Sequence, residues 1–262
     1  MNFETIQLHV ENQVATLTLN RPPANAINLK LAQEMLTASI RCSDDPDIRA
    51  VILTGSGKMF SAGGDLDGMI SEPEKTASNV ILEITSNLNA AVSKFMRMDA
   101  PLICALNGTC AGAGISLAVM GDYVISVDTA KFAGAYTLAG LAPDGGATWL
   151  LSRLIGMRKT KELFIMNRVL SANDALDWGM INEIVTPDKL MEKANAIASA
   201  LAKGATKAYG AVKKLLVSAS SEGLETQMEL EGRSIAALSL SVDGQEGIRS
   251  FLEKRKPVYT GK

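Results

Sequence analysis

Phe60-Ser61-Ala62-Gly63-Gly64-Asp65-Leu66 follows the apolar run Ala50-Val51-Ile52-Leu53-Thr54. A second stretch, Asn107-Gly108-Thr109-Cys110-Ala111-Gly112-Ala113-Gly114, follows a second apolar run at 102–106. Each pair reads as a short buried strand emptying into a glycine-rich segment, the second just ahead of a helical pattern at 112–120. Small residues let a ligand approach the main chain closely, and free N–H groups at a helix start attract negative charge. Two such donors converging on one oxygen would make an oxyanion hole, worth ~3–4 kcal/mol per donor in a protected site. Taken singly, a glycine-rich turn is more often just a tight turn. Neither stretch matches the phosphate-binding P-loop pattern or GxGxxG, so a nucleotide loop is not indicated.

The same strand–loop–helix unit recurs outward from these stretches. Residues 5–10 and 13–19 alternate and read as a hairpin turning at Glu11-Asn12. Leu29, Leu31, Met35, Leu36 and Ile40 give helical spacing over 28–43, and a long helical pattern covers 77–97. Residues 122–127 read as a further strand. Alternation of this kind predicts an α/β fold. The later part is mainly helical. Ser171-Ala172-Asn173-Asp174 fits a capping box, and Thr186-Pro187 fits an N-cap with proline at the first helical position. Helical patterns follow over 187–202, 205–217, 222–239 and 243–254. The expected division is a core domain over 1–200 carrying the site and a helical C-terminal region over 201–262, with no low-complexity linker between them.

Composition narrows the function classes. The 262 residues are 47% hydrophobic and 21% charged, which predicts a packed core. The net charge of −2 argues against a nucleic-acid partner. Cys42, Cys104 and Cys110 show no CxxC spacing and read as reduced, buried thiols. No signal-peptide pattern and no membrane-spanning apolar run are visible, so a cytoplasmic protein is expected. The one histidine, His9, lies on an alternating strand near the start, which leaves a Ser-His-Asp triad or a zinc site without support. The polar segment 67–79 reads as a mobile loop, with Glu72, Glu74 and Glu83 near it as possible extra carboxylates.

Taken in order, Leu19-Asn20-Arg21-Pro22, Asn25-Ala26-Ile27-Asn28, Phe60–Leu66, Ala105–Leu117, Gly140–Trp149, Ala175–Val185 and Gln245–Pro257 resemble the crotonase, or enoyl-CoA hydratase/isomerase, superfamily over nearly the whole chain. The resemblance implies a spiral of repeated ββα units with a C-terminal helical trimerisation region, and self-association as a trimer or dimer of trimers. It implies an acyl-CoA thioester as substrate, with coenzyme A across Asn25, Ala26, Ala62, Gly64, Asp65 and Leu66. Phe251 and Lys254 resemble residues that contact CoA near a subunit junction. The thioester oxygen would sit between the N–H groups of Gly64 and Ala113. Asp65 would order its loop, as a helix N-cap or beside the ligand. No metal and no separate cofactor are implied, since CoA arrives as part of the substrate.

The family leaves the reaction open. Relatives that hydrate carry two glutamates, at positions held here by Ser116 and Tyr136. Activating water and protonating the α-carbon needs such groups, so hydration is disfavoured. The carboxylate on offer is Asp144, in Gly140-Leu141-Ala142-Pro143-Asp144-Gly145-Gly146. An Asp before Gly-Gly is otherwise an ordinary helix cap. Its placement resembles isomerases of the superfamily, of the dienoyl-CoA and ring 1,2-epoxyphenylacetyl-CoA types. Met69, Tyr136, Leu138 and Leu141 are the candidate apolar surroundings, with Tyr136 either lining the substrate or orienting Asp144. The alternatives are a hydratase with non-standard residues, an aryl-CoA dehalogenase using Asp144 as nucleophile, and a non-catalytic CoA-ester-binding subunit.

Overall fold

A computed structural model describes residues 3–70 and 76–262. The chain opens with β1 (Ile6–Glu11) and β2 (Val14–Leu19), an antiparallel hairpin in which Glu11 faces Val14. The turn is therefore Asn12-Gln13, one residue later than the alternation suggested. Both turn residues have positive φ, 50° and 66°, as a two-residue turn matched to strand twist requires. Next come α1 (Leu29–Asp44), capped by the Asn28 side chain, then β3 (Ala50–Gly55), β4 (Met59–Ser61), α2 (Leu66–Ile70) and α3 (Ala77–Arg97). They are followed by β5 (Leu102–Leu106), β6 (Thr109–Ala111), α4 (Ala113–Val119), β7 (Tyr123–Val127) and β8 (Lys131–Ala133).

Two sheets result. The larger has the order β1-β2-β3-β5-β7-β10, where β10 is Glu183–Val185, and is parallel from β2 onward. Its central strands are covered on both faces, which is why Ala50–Leu53 and Leu102–Leu106 are unbroken apolar runs, all buried. The smaller has the order β4-β6-β8-β9, with β9 at Val169–Ser171. Its three-residue strands lie partly inside the glycine-rich segments, where no local pattern announced them. The long strands β3, β5 and β7 of one sheet thus lead into the short strands β4, β6 and β8 of the other, as successive turns of a ββα spiral. This is the crotonase-like α/β fold that the sequence resembled.

The second half supplies α5 (Ala147–Leu154), α6 (Gly156–Ile165), α7 (Ala172–Trp178), α8 (Leu190–Ala202), α9 (Thr206–Ser218), α10 (Leu224–Ser239) and α11 (Val242–Leu252). The capping box at Ser171 and Asp174 forms as expected. Thr186-Pro187 opens a 3₁₀ turn, Pro187–Lys189, rather than α8 itself.

Buried polar groups hold α9 to the spiral. Lys213 Nζ donates to the carbonyls of Phe95 (3.0 Å) and Ala100 (3.1 Å) and pairs with Asp122 at 2.7 Å. Asp122 also accepts from the Leu102 N–H, so the charge is paired at the start of β5. Arg49 ties β3 to the other end, donating to Thr206 Oγ1, the Gly204 carbonyl and the Tyr259 carbonyl. By contrast, α10 and α11 leave Ile235, Leu240, Phe251 and Leu252 largely exposed.

The polar segment expected to be a mobile loop is partly regular. Leu66–Ile70 is α2, and Thr76 caps α3 by accepting from the Asn79 N–H. Glu72 and Glu74 lie outside the described residues. Among the described residues no helix is long and apolar enough to cross a membrane.

Candidate active site

The two glycine-rich segments meet. Ile27 bridges the first: its N–H donates to the Gly63 carbonyl (2.7 Å), and its carbonyl accepts from the Asp65 N–H (3.0 Å). In a parallel bridge of this kind the flanking peptides make the bonds, so the N–H of the middle residue, Gly64, points the other way. Ala113 is the first residue of α4, where N–H groups have no intrahelical acceptor. Among the described residues neither N–H has a main-chain partner.

Gly63 makes this approach possible. Its φ is 88°, and a Cβ there would stand 2.7 Å from the Ala111 carbonyl oxygen and 3.1 Å from the Ala113 nitrogen. No other residue type fits that backbone in that space.

Both donors line a cavity of about 310 Å³. One wall is Ile81, Ile84, Thr85 and Leu88 of α3, a stripe at helical spacing. Leu66 and Met69 close a second side, and Ala135, Tyr136, Ala139, Leu141 and Ala142 a third. Ala135 carries a positive φ of 60°, an uncommon conformation for a residue with a Cβ, immediately before Tyr136. Leu138, expected among the apolar neighbours, is 76% exposed and faces away, because the 3₁₀ turn Thr137–Ala139 presents Ala139 to the cavity instead.

Among the described residues Asp144 is the carboxylate that lines this cavity. The Tyr136 hydroxyl donates to its Oδ1 at 2.7 Å, and Ser116 Oγ donates to its main-chain carbonyl at 2.9 Å. Ser116 Oγ and Tyr136 Oη are 3.2 Å apart. The capping alternative does not hold: α5 is preceded by Gly146, and no side chain caps it. Burial raises the Asp144 carboxyl above its ordinary range, partly offset by the Tyr136 hydrogen bond. Burial, with the neighbouring Asp144 charge, pushes the Tyr136 hydroxyl well up, so it remains a proton donor. A second cavity, about 410 Å³ and lined by Asn89, Arg97 and Trp149, also reaches Asp144.

The other expected site residues divide into three groups. Ala62, Gly64, Leu66, Tyr136 and Leu141 line the cavity with Asp144 and Ala113. Asn25, Ala26 and Asp65 shape the loops instead. Asn25 is fully buried; its Nδ2 donates to the carbonyls of Ser56, Met59 and Phe60, and its Oδ1 accepts from the Arg21 N–H. Its side chain therefore holds the loop and is not presented to a ligand. Asp65 pairs with Arg21 and accepts from the Gly68 N–H, which is a loop-ordering role at the start of α2. Arg21 also donates to the Ala26 carbonyl, so it links the Asn25–Ala26 turn to the Gly64 segment. Phe251, 83% exposed, and Lys254 lie at the end of α11 and do not reach the cavity within one chain. Glu83 sits on the exposed side of α3, off the lining stripe.

Sequence reasoning missed three participants. Ser116 was read only as a missing glutamate. Arg21 lay inside a quoted motif with no role assigned. The α3 stripe was visible as helical periodicity, but nothing local said what it would face.

The chain was compared with known proteins. A family model described as enoyl-CoA hydratase/isomerase matches residues 9–262. The chain is 38% identical to a 1,2-epoxyphenylacetyl-CoA isomerase of Escherichia coli K12, over 99% of this chain and all of that one. It is 32% identical to a trans-2-decenoyl-[acyl-carrier-protein] isomerase of Streptococcus mutans, over the full length of both. A crystal structure of an enoyl-CoA hydratase from Polaromonas sp. JS666 superposes with a TM-score of 0.90 at 31% identity, covering 97% of this chain and 99% of that one. With two glycine-rich turns meeting at one cavity, a family model matched over residues 9–262 and full-length similarity to such enzymes, the chain belongs to the enoyl-CoA hydratase/isomerase family.

Proposed function

We propose that the protein is an isomerase that shifts a carbon–carbon double bond of an acyl-CoA thioester. The thioester oxygen binds between the N–H groups of Gly64 and Ala113. Asp144 removes a proton from the carbon between the thioester and the double bond, the resulting dienolate is held by the two donors, and the same carboxyl returns the proton two carbons away. One observation carries the reading: among the described residues Asp144 is the carboxylate lining a mostly apolar cavity that the two donors also line, with its proton affinity raised by burial. A carboxylate whose pKa is raised is a stronger base toward a carbon-bound proton than an exposed carboxylate, and it holds the proton it has taken until the dienolate recaptures it.

Coenzyme A enters with the substrate along Ala62, Gly64 and Leu66, and no further cofactor is required. The exposed apolar faces of α10 and α11 suit self-association into a trimer or dimer of trimers, which would bring Phe251 and Lys254 of a neighbouring copy toward the CoA moiety. The location we propose is the cytoplasm. The Escherichia coli relative makes a ring-type CoA ester a candidate substrate alongside straight-chain enoyl esters.

Hydration is the second reading, favoured by hydratase-named relatives such as the Polaromonas enzyme. The same donors would serve it, but Ser116 and Tyr136 supply no carboxylates. The test is incubation with 3-enoyl-, 2-enoyl- and 3,5-dienoyl-CoA in heavy water, read by mass and ultraviolet absorbance. Double-bond migration with little water addition is expected. Rapid hydration of the 2-enoyl ester would overturn the isomerase reading, and binding without turnover of any ester would favour a non-catalytic CoA-binding protein.

A further inference from the structure

We propose that Ser116 and Tyr136 are positioning residues that clamp Asp144, so that its Oδ2 alone carries the migrating proton. The inference rests on the isomerase reading and deepens it. Two hydroxyl protons are available for the three contacts among these residues. A main-chain carbonyl and an ionised carboxylate only accept. The Tyr136 proton therefore goes to Oδ1 and the Ser116 proton to the Asp144 carbonyl. Both are committed to holding Asp144, and neither is left to protonate the substrate.

Oδ2 has a different status. It has no hydrogen-bond partner among the described residues, and among those residues no buried side-chain oxygen lacks a partner. Oδ2 must therefore reach an accessible surface; Asp144 lines two cavities, and the proposal places Oδ2 in the one that the two donors also line.

The clamp is also built into the fold. Ser116 is fully buried, one turn along α4 from Ala113. The helix that starts at an oxyanion donor thus also grips the base, which fixes Oδ2 relative to that donor. Gly145 completes the fit: its φ is 59°, and a Cβ there would stand 2.7 Å from Ser116 Cβ. Two positions that carry glutamates in hydrating relatives are, on this view, converted into supports for a third.

The groups facing Asp144 make its titration a clean readout. From the Ala135–Ala139 segment Tyr136 is the titratable neighbour; α3 contributes Arg97 on the second cavity; Trp149, Leu150 and Val217 add no ionisable group. The Tyr136 hydrogen bond favours the carboxylate, so removing it raises the pH at which Asp144 ionises.

The experiment uses Tyr136→Phe and Ser116→Ala in the full chain, with the Asp144 carboxyl followed by ¹³C NMR without ligand, and kcat and KM measured with a 3-enoyl-CoA. For Tyr136→Phe the carboxyl titration and the acid limb of kcat are expected to move to higher pH together. At the same time kcat falls roughly ten- to a hundredfold and KM stays within about threefold. Ser116→Ala releases only the grip on the Asp144 main-chain carbonyl; it is expected to lower kcat with KM within about threefold, and that split carries the test if Tyr136→Phe does not fold. An Asp144 titration unmoved in folded Tyr136→Phe, or a kcat unchanged in folded Ser116→Ala, overturns the proposal. A titration that moves while the parent shifts no double bond overturns the isomerase reading and leaves the clamp standing.

Discussion

The oxyanion donors and the acid–base wall of the cavity are built from different materials. On the proposed reading Gly64 and Ala113 would act through main-chain N–H groups set by β4, β6 and the start of α4, whereas Asp144, Tyr136 and Ser116 would act through side-chain oxygens brought in from three separate segments. The first is indifferent to side-chain identity so long as the backbone path survives. Ala113 shows this, since a methyl group leaves the N–H unchanged. The second is indifferent to small backbone shifts but fails when one oxygen is lost. The difference teaches how one fold can carry several reactions: on the proposed reading the spiral supplies the enolate-stabilising donors, and a few side chains choose where the proton goes.

The sharpest test removes the carboxylate. Asp144→Asn should lower kcat by roughly a thousandfold or more, while CoA-ester affinity measured by titration calorimetry stays within about threefold. Retained turnover would show that the wall's base lies elsewhere. Burial raises this carboxyl in the folded state, so its stability contribution is complete below the unfolded pKa and is lost as pH rises through the folded one. At neutral pH the Asn variant should therefore melt no lower than the parent. For the same reason kcat/KM of the parent should fall about tenfold per pH unit below an acid limb that lies above the ordinary carboxylate value.

Next in size is the loss of one main-chain donor. Ala113→Pro deletes the N–H at a helix position where proline is tolerated, and kcat/KM should fall roughly a hundredfold with the circular-dichroism spectrum unchanged. An unaffected rate would break the claim that backbone makes the hole.

Gly63→Ala leaves both donors in place but disturbs their path. With φ at 88° and a carbonyl oxygen 2.7 Å from the new Cβ, urea unfolding should show a loss of ~1–3 kcal/mol, with a fall in kcat. The smallest effect expected is that of Glu83→Gln. This exposed residue lies off the α3 stripe, and the rate should change less than about twofold.

These regions also differed in how far the sequence disclosed them. The donor loops were legible because they combine a buried parallel strand, a run of small residues and a helix start, all local signals. The wall was half legible. Asp144 stood out by its Pro-Asp-Gly-Gly context, but its tie to Ser116 joins residues 28 apart in sequence, which no periodicity reports. Asn25 shows the reverse case. Its place in a recognisable motif suggested ligand contact, yet three carbonyls at 56–60 take its amide donors. A side chain's partners are a property of the folded chain, and a motif marks a position without saying which way it faces.

By itself the sequence determined the α/β class, the long strands and helices, and the two glycine-rich segments that meet at the cavity, because burial pattern and glycine placement act over a few residues. Only the tertiary structure decided the second sheet, whose three-residue strands exist by pairing with distant partners. It also decided the direction of α3's apolar stripe and the capture of Asp144 by two hydroxyls. Each of these depends on which segments the spiral stacks together, and that stacking is settled by the packing of the whole core.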